Sequence, residues 1–352
     1  MASLAWPLLV LVFAAGAAAT WVAGTSLGKS TDALDNRFGL GDAIGGMVLL
    51  SIAGTLPEIA ITVSAVLQKH YGLAAGNLIG GIAIQTMVLI ICDITAGRKS
   101  ALTYLVGSLI PVLEALLVIL VVSFVLMGAL LKQSVALGPV SPASIAIVVV
   151  WFCGIVVINR VRKSPSWEVV APGSRPGRPH RRVPHPTEPT AHTGTSTARV
   201  VLYFLAACVV TLIAGVFLQI AGSDLAGRAG INGVIFGATV LALATALPEI
   251  SSGISAVRLG DHGLAMGDIF GGNAFQVCLF LVADLIAGKA VLTTAGNQNS
   301  WLAILGISLT SVYAVGIIFR PKRCYLRLGA DSLFVIVLFA IGIAGLVTIP
   351  AH

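Results

Sequence analysis

The sequence predicts an all-α polytopic membrane protein. It would have about ten transmembrane helices in two five-helix repeats of inverted topology. Three observations predict this. Of the 352 residues, 57% are hydrophobic and only 10% charged, and mean hydropathy is +0.99, a balance foreign to soluble domains. Apolar runs of the roughly 20 residues needed to cross a bilayer recur along the chain. Two of those runs carry the same awkward dipeptide, Pro57–Glu58 and Pro248–Glu249.

The runs fall at 4–25, 40–67, 72–95, 102–130, 143–159, 200–222, 231–257, 263–287, 299–319 and 332–349. The first lacks a positive n-region, so it reads as a membrane helix rather than a cleaved signal peptide. The 39 glycines suit close helix packing in lipid. Five cysteines without paired spacing argue against a disulfide or thiolate-metal framework.

The net charge of +7 does not point to nucleic acid, because its distribution follows the loops. One side holds Lys29, Arg37, Arg98, Lys99, Arg258, Arg320, Lys322, Arg323, Arg327 and the basic residues of 160–199. The other holds Lys69, Lys132, Arg228 and Lys289. The positive-inside rule then places 160–199 in the cytoplasm and both termini outside, as in a multi-pass protein of a plasma (inner) membrane. The stretch 160–199, rich in Pro, Arg, Thr and His, cannot bury apolar surface and reads as a disordered basic loop. It divides the chain into a first repeat, 1–159, and a second, 200–352.

A shift of 191 residues aligns AGTLPEIAITVSAV at 53–66 with ATALPEISSGISAV at 244–257. The same shift aligns GLAAGNLIGGIAIQ at 72–85 with GLAMGDIFGGNAFQ at 263–276. Each pair shares eight identities in fourteen positions, with no gap between the blocks. Asp93 then falls on Asp284. Five helices separate the copies, and an odd number reverses direction. Inverted repeats with broken helices and a midplane site are the architecture of secondary transporters.

The proline explains the break. Pro57 has no N–H for the Ala53 carbonyl, and Pro248 none for that of Ala244. Freed carbonyls at membrane depth are tolerated where they line a cavity or meet an ion. Glu58 and Glu249 follow at once, and Thr55 and Thr245 lie three and four residues before them on the same face. Carboxylate, hydroxyl and carbonyl are hard oxygen ligands suited to Ca²⁺ or Na⁺, not to zinc. On the next helix of each repeat, Asn77, Gly81 and Gln85 share a face, as do Asp268, Gly272 and Gln276. Either glutamine can offer an oxygen to a cation or hold a glutamate in place. Asp268 reads as an extra carboxylate near one mouth. Asn77, Asp93 and Asp284 read as structural. Glu114 has no mirrored partner and its role stays open.

These blocks resemble the two α-repeats of the calcium/cation antiporter superfamily, the sodium/calcium exchanger type. That family carries G-[ST]-S-x-P-E on one helix of each repeat and G-N-x-x-G-S-N-x-x-[ND] on the next. Here stand AGTLPE with GNLIGGIAIQ, and ATALPE with GDIFGGNAFQ. The resemblance covers nearly the whole chain. It implies a midplane cation site with Glu58 and Glu249 as principal ligands, helped by Thr55, Thr245 and the carbonyls of Ala53 and Ala244. It implies no permanent cofactor; Ca²⁺ and Na⁺ or H⁺ would be cargo. Departures are visible. Gly81 and Gly272 replace the motif serine, Ile82 replaces the first asparagine while Asn273 keeps the second, and Gln closes both motifs. Proton-coupled members carry a Gln near this place, which tilts the expectation toward protons. Rival readings are an antiporter of the same fold for K⁺, Mn²⁺, Mg²⁺ or Na⁺/H⁺, an intramembrane enzyme using paired carboxylates, and a regulatory protein that has lost transport.

Overall fold

Long apolar runs become long helices because lipid leaves the backbone no partner but itself. The computed structural model describes residues 5–38, 52–97, 100–163, 196–294, 296–322, 324–325 and 327–350. Helix α1 is Trp6–Phe38, α2 is Leu56–Leu67 and α3 is Tyr71–Ala96. The short α4, Leu102–Leu105, precedes α5, Ile110–Ala129, and α6, Pro142–Lys163. The second half opens with α7, Thr197–Ala229. A composite helix follows: α8, Gly233–Phe236, a wider π turn at Gly237–Leu241, and α9, Ala242–Thr245. It bends by 46° into α10, Leu247–Arg258. Then come α11, His262–Gln276, α12, Leu279–Ala287, α13, Asn297–Phe319, and α14, Ala330–Thr348.

Among the described residues, eight helices are long and apolar enough to span a membrane, and the bent pair makes a ninth. The expected span 40–67 is represented from Ile52 onward; its first part lies outside the described residues, as does nearly all of the loop 160–199. One expectation needs correction. The run 102–130 is not a single helix, since Val106–Leu109 is non-helical between α4 and α5. Pro111 sits in the first turn of α5, where a missing N–H costs nothing. Apolar composition alone could not mark that boundary.

Helices α1 and α7 pair along their length. Helix α3 runs through the main core with α5, α11 and α13. Its glycines set a close crossing with the second repeat. A Cβ at Gly76 would stand 2.5 Å from the Val234 carbonyl oxygen, and one at Gly80 would collide with Ala238. In return, a Cβ at Gly237 would stand 2.6 Å from the Leu73 oxygen. Small residues thus let α3 touch the backbone of the bent helix that carries the second Pro–Glu pair. On α7, Gln219 accepts from Ser64 Oγ and Gln68 Nε2, both at 2.7 Å, which ties that helix to α2.

Two mirrored aspartates join the halves. Asp93, at the end of α3, accepts from Leu102 N and from Gly329 N, each at 2.7 Å. Gly329 closes a two-stranded hairpin, Cys324–Tyr325 with Leu328–Gly329, and leads into α14. Asp284, at the end of α12, accepts from Val291 N at 2.6 Å, Ser141 N at 2.9 Å and Ser144 Oγ at 2.7 Å. Each carboxylate therefore holds the loop after its own helix and the start of the last helix of the opposite repeat. Both are fully buried, and the structural reading of these residues holds.

Removing one such acceptor leaves buried donors unmet, at about 1–3 kcal/mol each. Asp284→Ala should lower stability by at least about 3 kcal/mol, read as a drop in thermal midpoint in detergent. A midpoint equal to the parent's would refute the staple.

Candidate cation site

Glu58 lies in the first turn of α2 and Glu249 in the first turn of α10, immediately after the two breaks. A helix start points partial positive charge at such a carboxylate. The break and the acid are therefore one device: proline ends one helix and the next begins under the glutamate. Glu58 is fully buried and Glu249 is 9% exposed. The two come from opposite repeats, yet each lies within the other's field and like charge repels. One oxygen of each, Glu58 Oε2 and Glu249 Oε2, has no hydrogen-bond partner.

The first carboxylate is held from its own repeat. Gln85 Nε2 donates to Glu58 Oε1 at 3.3 Å. Thr245 lies near it from across the interface, with its hydroxyl donating to the Ala242 carbonyl at 3.1 Å. Thr55 is buried and reaches the Ile52 carbonyl at 3.4 Å. Ala53 and Ala244 are buried beside the breaks; their carbonyls face the proline nitrogens of Pro57 and Pro248, which cannot donate.

The two glutamines, equivalent in sequence, behave differently. Gln85 holds a glutamate. Gln276 instead crosses to the other repeat, where its Nε2 donates to the carbonyls of Asn77 at 3.2 Å and Leu78 at 2.9 Å. It fills the space over Gly81, where any Cβ would meet its amide nitrogen. The glycine in place of a serine at 81 and the long amide at 276 are thus two parts of one fit. Gln276 Oε1 has no partner. Nor do Asn273 Oδ1 and both polar atoms of Asn77, all fully buried. Such orphaned oxygens are rare unless water or a cation meets them.

Asp268 lies on α11, the helix after Glu249's. It accepts from Ser252 Oγ at 2.7 Å, and its charge reaches Glu249. Among the described residues, no group of three or more His, Cys, Asp or Glu side chains gathers as a metal cluster. The site is two carboxylates among amides and hydroxyls. Reading the sequence missed Ser252, although it lies three residues beyond Glu249 on the same face. It also missed the partner of Glu114, which is Arg162, at 3.2 Å. No local pattern signals that pair, because the two residues are 48 apart.

A sequence profile of the family described as sodium/calcium exchanger protein matches residues 8–161 and 200–348. The chain belongs to the sodium/calcium exchanger family. It is a multi-pass membrane protein of an antiporter family, and the enzyme reading falls away. The inner membrane protein YrbG of Escherichia coli K12 is 25% identical over 276 residues, 78% of this chain and 79% of that one. An Alkalimonas amylolytica protein provisionally named antiporter CaxA is 26% identical over 272 residues, 76% of this chain and 78% of that one. Among solved structures, the H⁺/Ca²⁺ exchanger CAX superposes with a TM-score of 0.67 at 15% identity, over 97% of this chain and 82% of that one. The sodium-calcium exchanger NCX_Mj gives 0.59 at 16% identity, over 96% and 98%. At such identities these likenesses bear on the fold alone.

The fit between positions 81 and 276 is testable in this exchanger-family chain. Gly81→Ser should drive a side chain into the Gln276 amide and cost about 1–3 kcal/mol as overpacking. Adding Gln276→Asn, which shortens the intruding chain, should recover most of the thermal midpoint. Equal losses in the single and double variants would show that the two positions are independent.

Proposed function

We propose that this protein exchanges Ca²⁺ for a monovalent cation, Na⁺ or H⁺, by alternating access around Glu58 and Glu249. The observation that carries this reading is the pair itself. Two buried carboxylates from opposite repeats lie within reach of each other's charge, each at a helix start and each with one oxygen unpartnered. Two bare charges in low dielectric are costly. One divalent cation, or two monovalent ones, would neutralise them. The empty site should therefore resist switching between outward-open and inward-open states, and the loaded site should switch.

Thr55, Thr245, Gln85 and the carbonyls of Ala53 and Ala244 would complete the oxygen shell around the glutamates. Of the two coupling ions, H⁺ is favoured. Gly81 and Gly272 offer no hydroxyl where the family motif carries serine, and the Gln276 amide donors occupy the carbonyls of Asn77 and Leu78, so the ligands lost relative to the motif are ones a sodium ion would use. A proton needs only a carboxylate. The orientation follows the loop charges: both termini outside and the loop 160–199 in the cytoplasm.

Reconstituted protein should take up ⁴⁵Ca²⁺ when an outward H⁺ gradient is imposed, and much less with an outward Na⁺ gradient. Acidifying the Ca²⁺ side should weaken uptake, because a protonated carboxyl no longer binds the cation. Glu58→Gln with Glu249→Gln should abolish uptake under either gradient. Uptake at the parent rate in that double variant would sink the reading; uptake driven only by Na⁺ would reverse the choice of coupling ion.

A further inference from the structure

On α10, α11 and α5, which packs against α11, lies a second polar group that the exchange mechanism leaves unused. Asp268 sits in the second turn of α11, with Ser252 Oγ donating to its Oδ2 at 2.7 Å. Glu114, in the second turn of α5, is 5% exposed. Its Oε1 meets Arg162 at 3.2 Å, but its Oε2 has no hydrogen-bond partner. That free oxygen is aimed at α11 beside Asp268: a Cβ on Gly267 would stand 2.8 Å from it. Asp268 lies within the electrostatic reach of both Glu114 and Glu249, so the three form one neighbourhood of negative charge.

Three features say that this group is built to hold a cation. A buried carboxylate oxygen packed against α11 one residue from Asp268 lacks the donor that such burial calls for. The partner present, Arg162, is 44% exposed and meets Glu114 through one nitrogen and one oxygen rather than a two-pronged fork, so it is held weakly. The arrangement also has no copy at the other mouth. The 191-residue shift places Asn77, Ile61 and Leu305 opposite Asp268, Ser252 and Glu114. A charge set required by the fold would recur in both repeats; this one belongs to a single face. Arg162 and Arg258 lie at the ends of helices on that face, which the loop charges assign to the cytoplasm.

We propose that Asp268, Ser252 and Glu114 form a second, weaker Ca²⁺ subsite at the cytoplasmic mouth. The Arg162 guanidinium acts as the built-in cation that Ca²⁺ displaces. The subsite captures the ion before it reaches Glu249 and makes cytoplasmic loading differ from external loading. Its role as an entry station rests on the exchange reading above; its binding of Ca²⁺ does not.

The test is equilibrium ⁴⁵Ca²⁺ binding to the purified full-length chain. With the central site removed by Glu58→Gln and Glu249→Gln, one weaker site should remain. Adding Asp268→Asn, the residue present at the mirrored position, should weaken it by about tenfold or more, and Ser252→Ala by about threefold. Arg162→Gln should tighten it by about threefold, while Arg162→Lys should leave it near the parent value. No remaining Ca²⁺ binding at millimolar concentration, or binding that ignores both Asp268→Asn and Ser252→Ala, would overturn the subsite. Failure of the exchange reading looks different: the tight site would survive the two glutamate substitutions.

Discussion

Everything at the centre of this molecule depends on keeping two carboxylates close together inside a membrane. Glu58 and Glu249 cannot both be bare in that setting without a large electrostatic cost. The surrounding structure reduces that cost in steps. Each acid stands at the start of a helix, where backbone N–H groups supply partial positive charge. Gln85 donates to one of them. What remains is a deficit of positive charge, which in the proposed exchange a cation would fill. A site stabilised completely by the protein would hold no place for cargo; a site not stabilised at all would not fold.

The inverted repeat supplies the framework, and the departures from symmetry supply the character. Gln85 and Gln276 are equivalent by descent along the chain, yet one restrains a glutamate while the other bonds to the backbone of the opposite repeat. The cause is steric. Gly81 leaves a gap beside α3, and the long side chain of Gln276 lies in it. A serine there and a shorter closing residue would leave different oxygens facing the site. In the same way, the carboxylate at 268 has an asparagine, Asn77, as its mirrored counterpart, so the two repeats differ in charge there.

Much of this was legible in the sequence, for a physical reason. Membrane spans announce themselves by length and apolarity, and a proline followed by a glutamate within one has few structural uses. Pro57–Glu58, Pro248–Glu249 and the 191-residue shift therefore located the breaks, two buried acids and the symmetry. The rest depended on distant contacts. The break at Val106–Leu109 is invisible because the residues on either side are equally apolar. The pairing of Glu114 with Arg162, and of Gln276 with the Asn77 and Leu78 carbonyls, joins elements whose relative placement no local pattern encodes. Asp93 and Asp284 were recognisable as structural from their places near helix ends, but their partners were not.

Those partners bear on how the chain is made. Gly329 N, which completes the bonding of Asp93, lies 236 residues further along. A ribosome will have threaded nearly all the protein into the bilayer before that bond can close. Until then the first repeat carries a carboxylate at its inner edge with half of its donors missing, and a lone copy of that repeat would carry it permanently. Asp284 is in the opposite position, since Ser141 and Ser144 are already in place when it emerges. The two mirrored carboxylates thus differ in timing, which the finished, nearly symmetrical architecture conceals: Asp284 finds its partners in chain already made, while Asp93 waits for the start of the last helix.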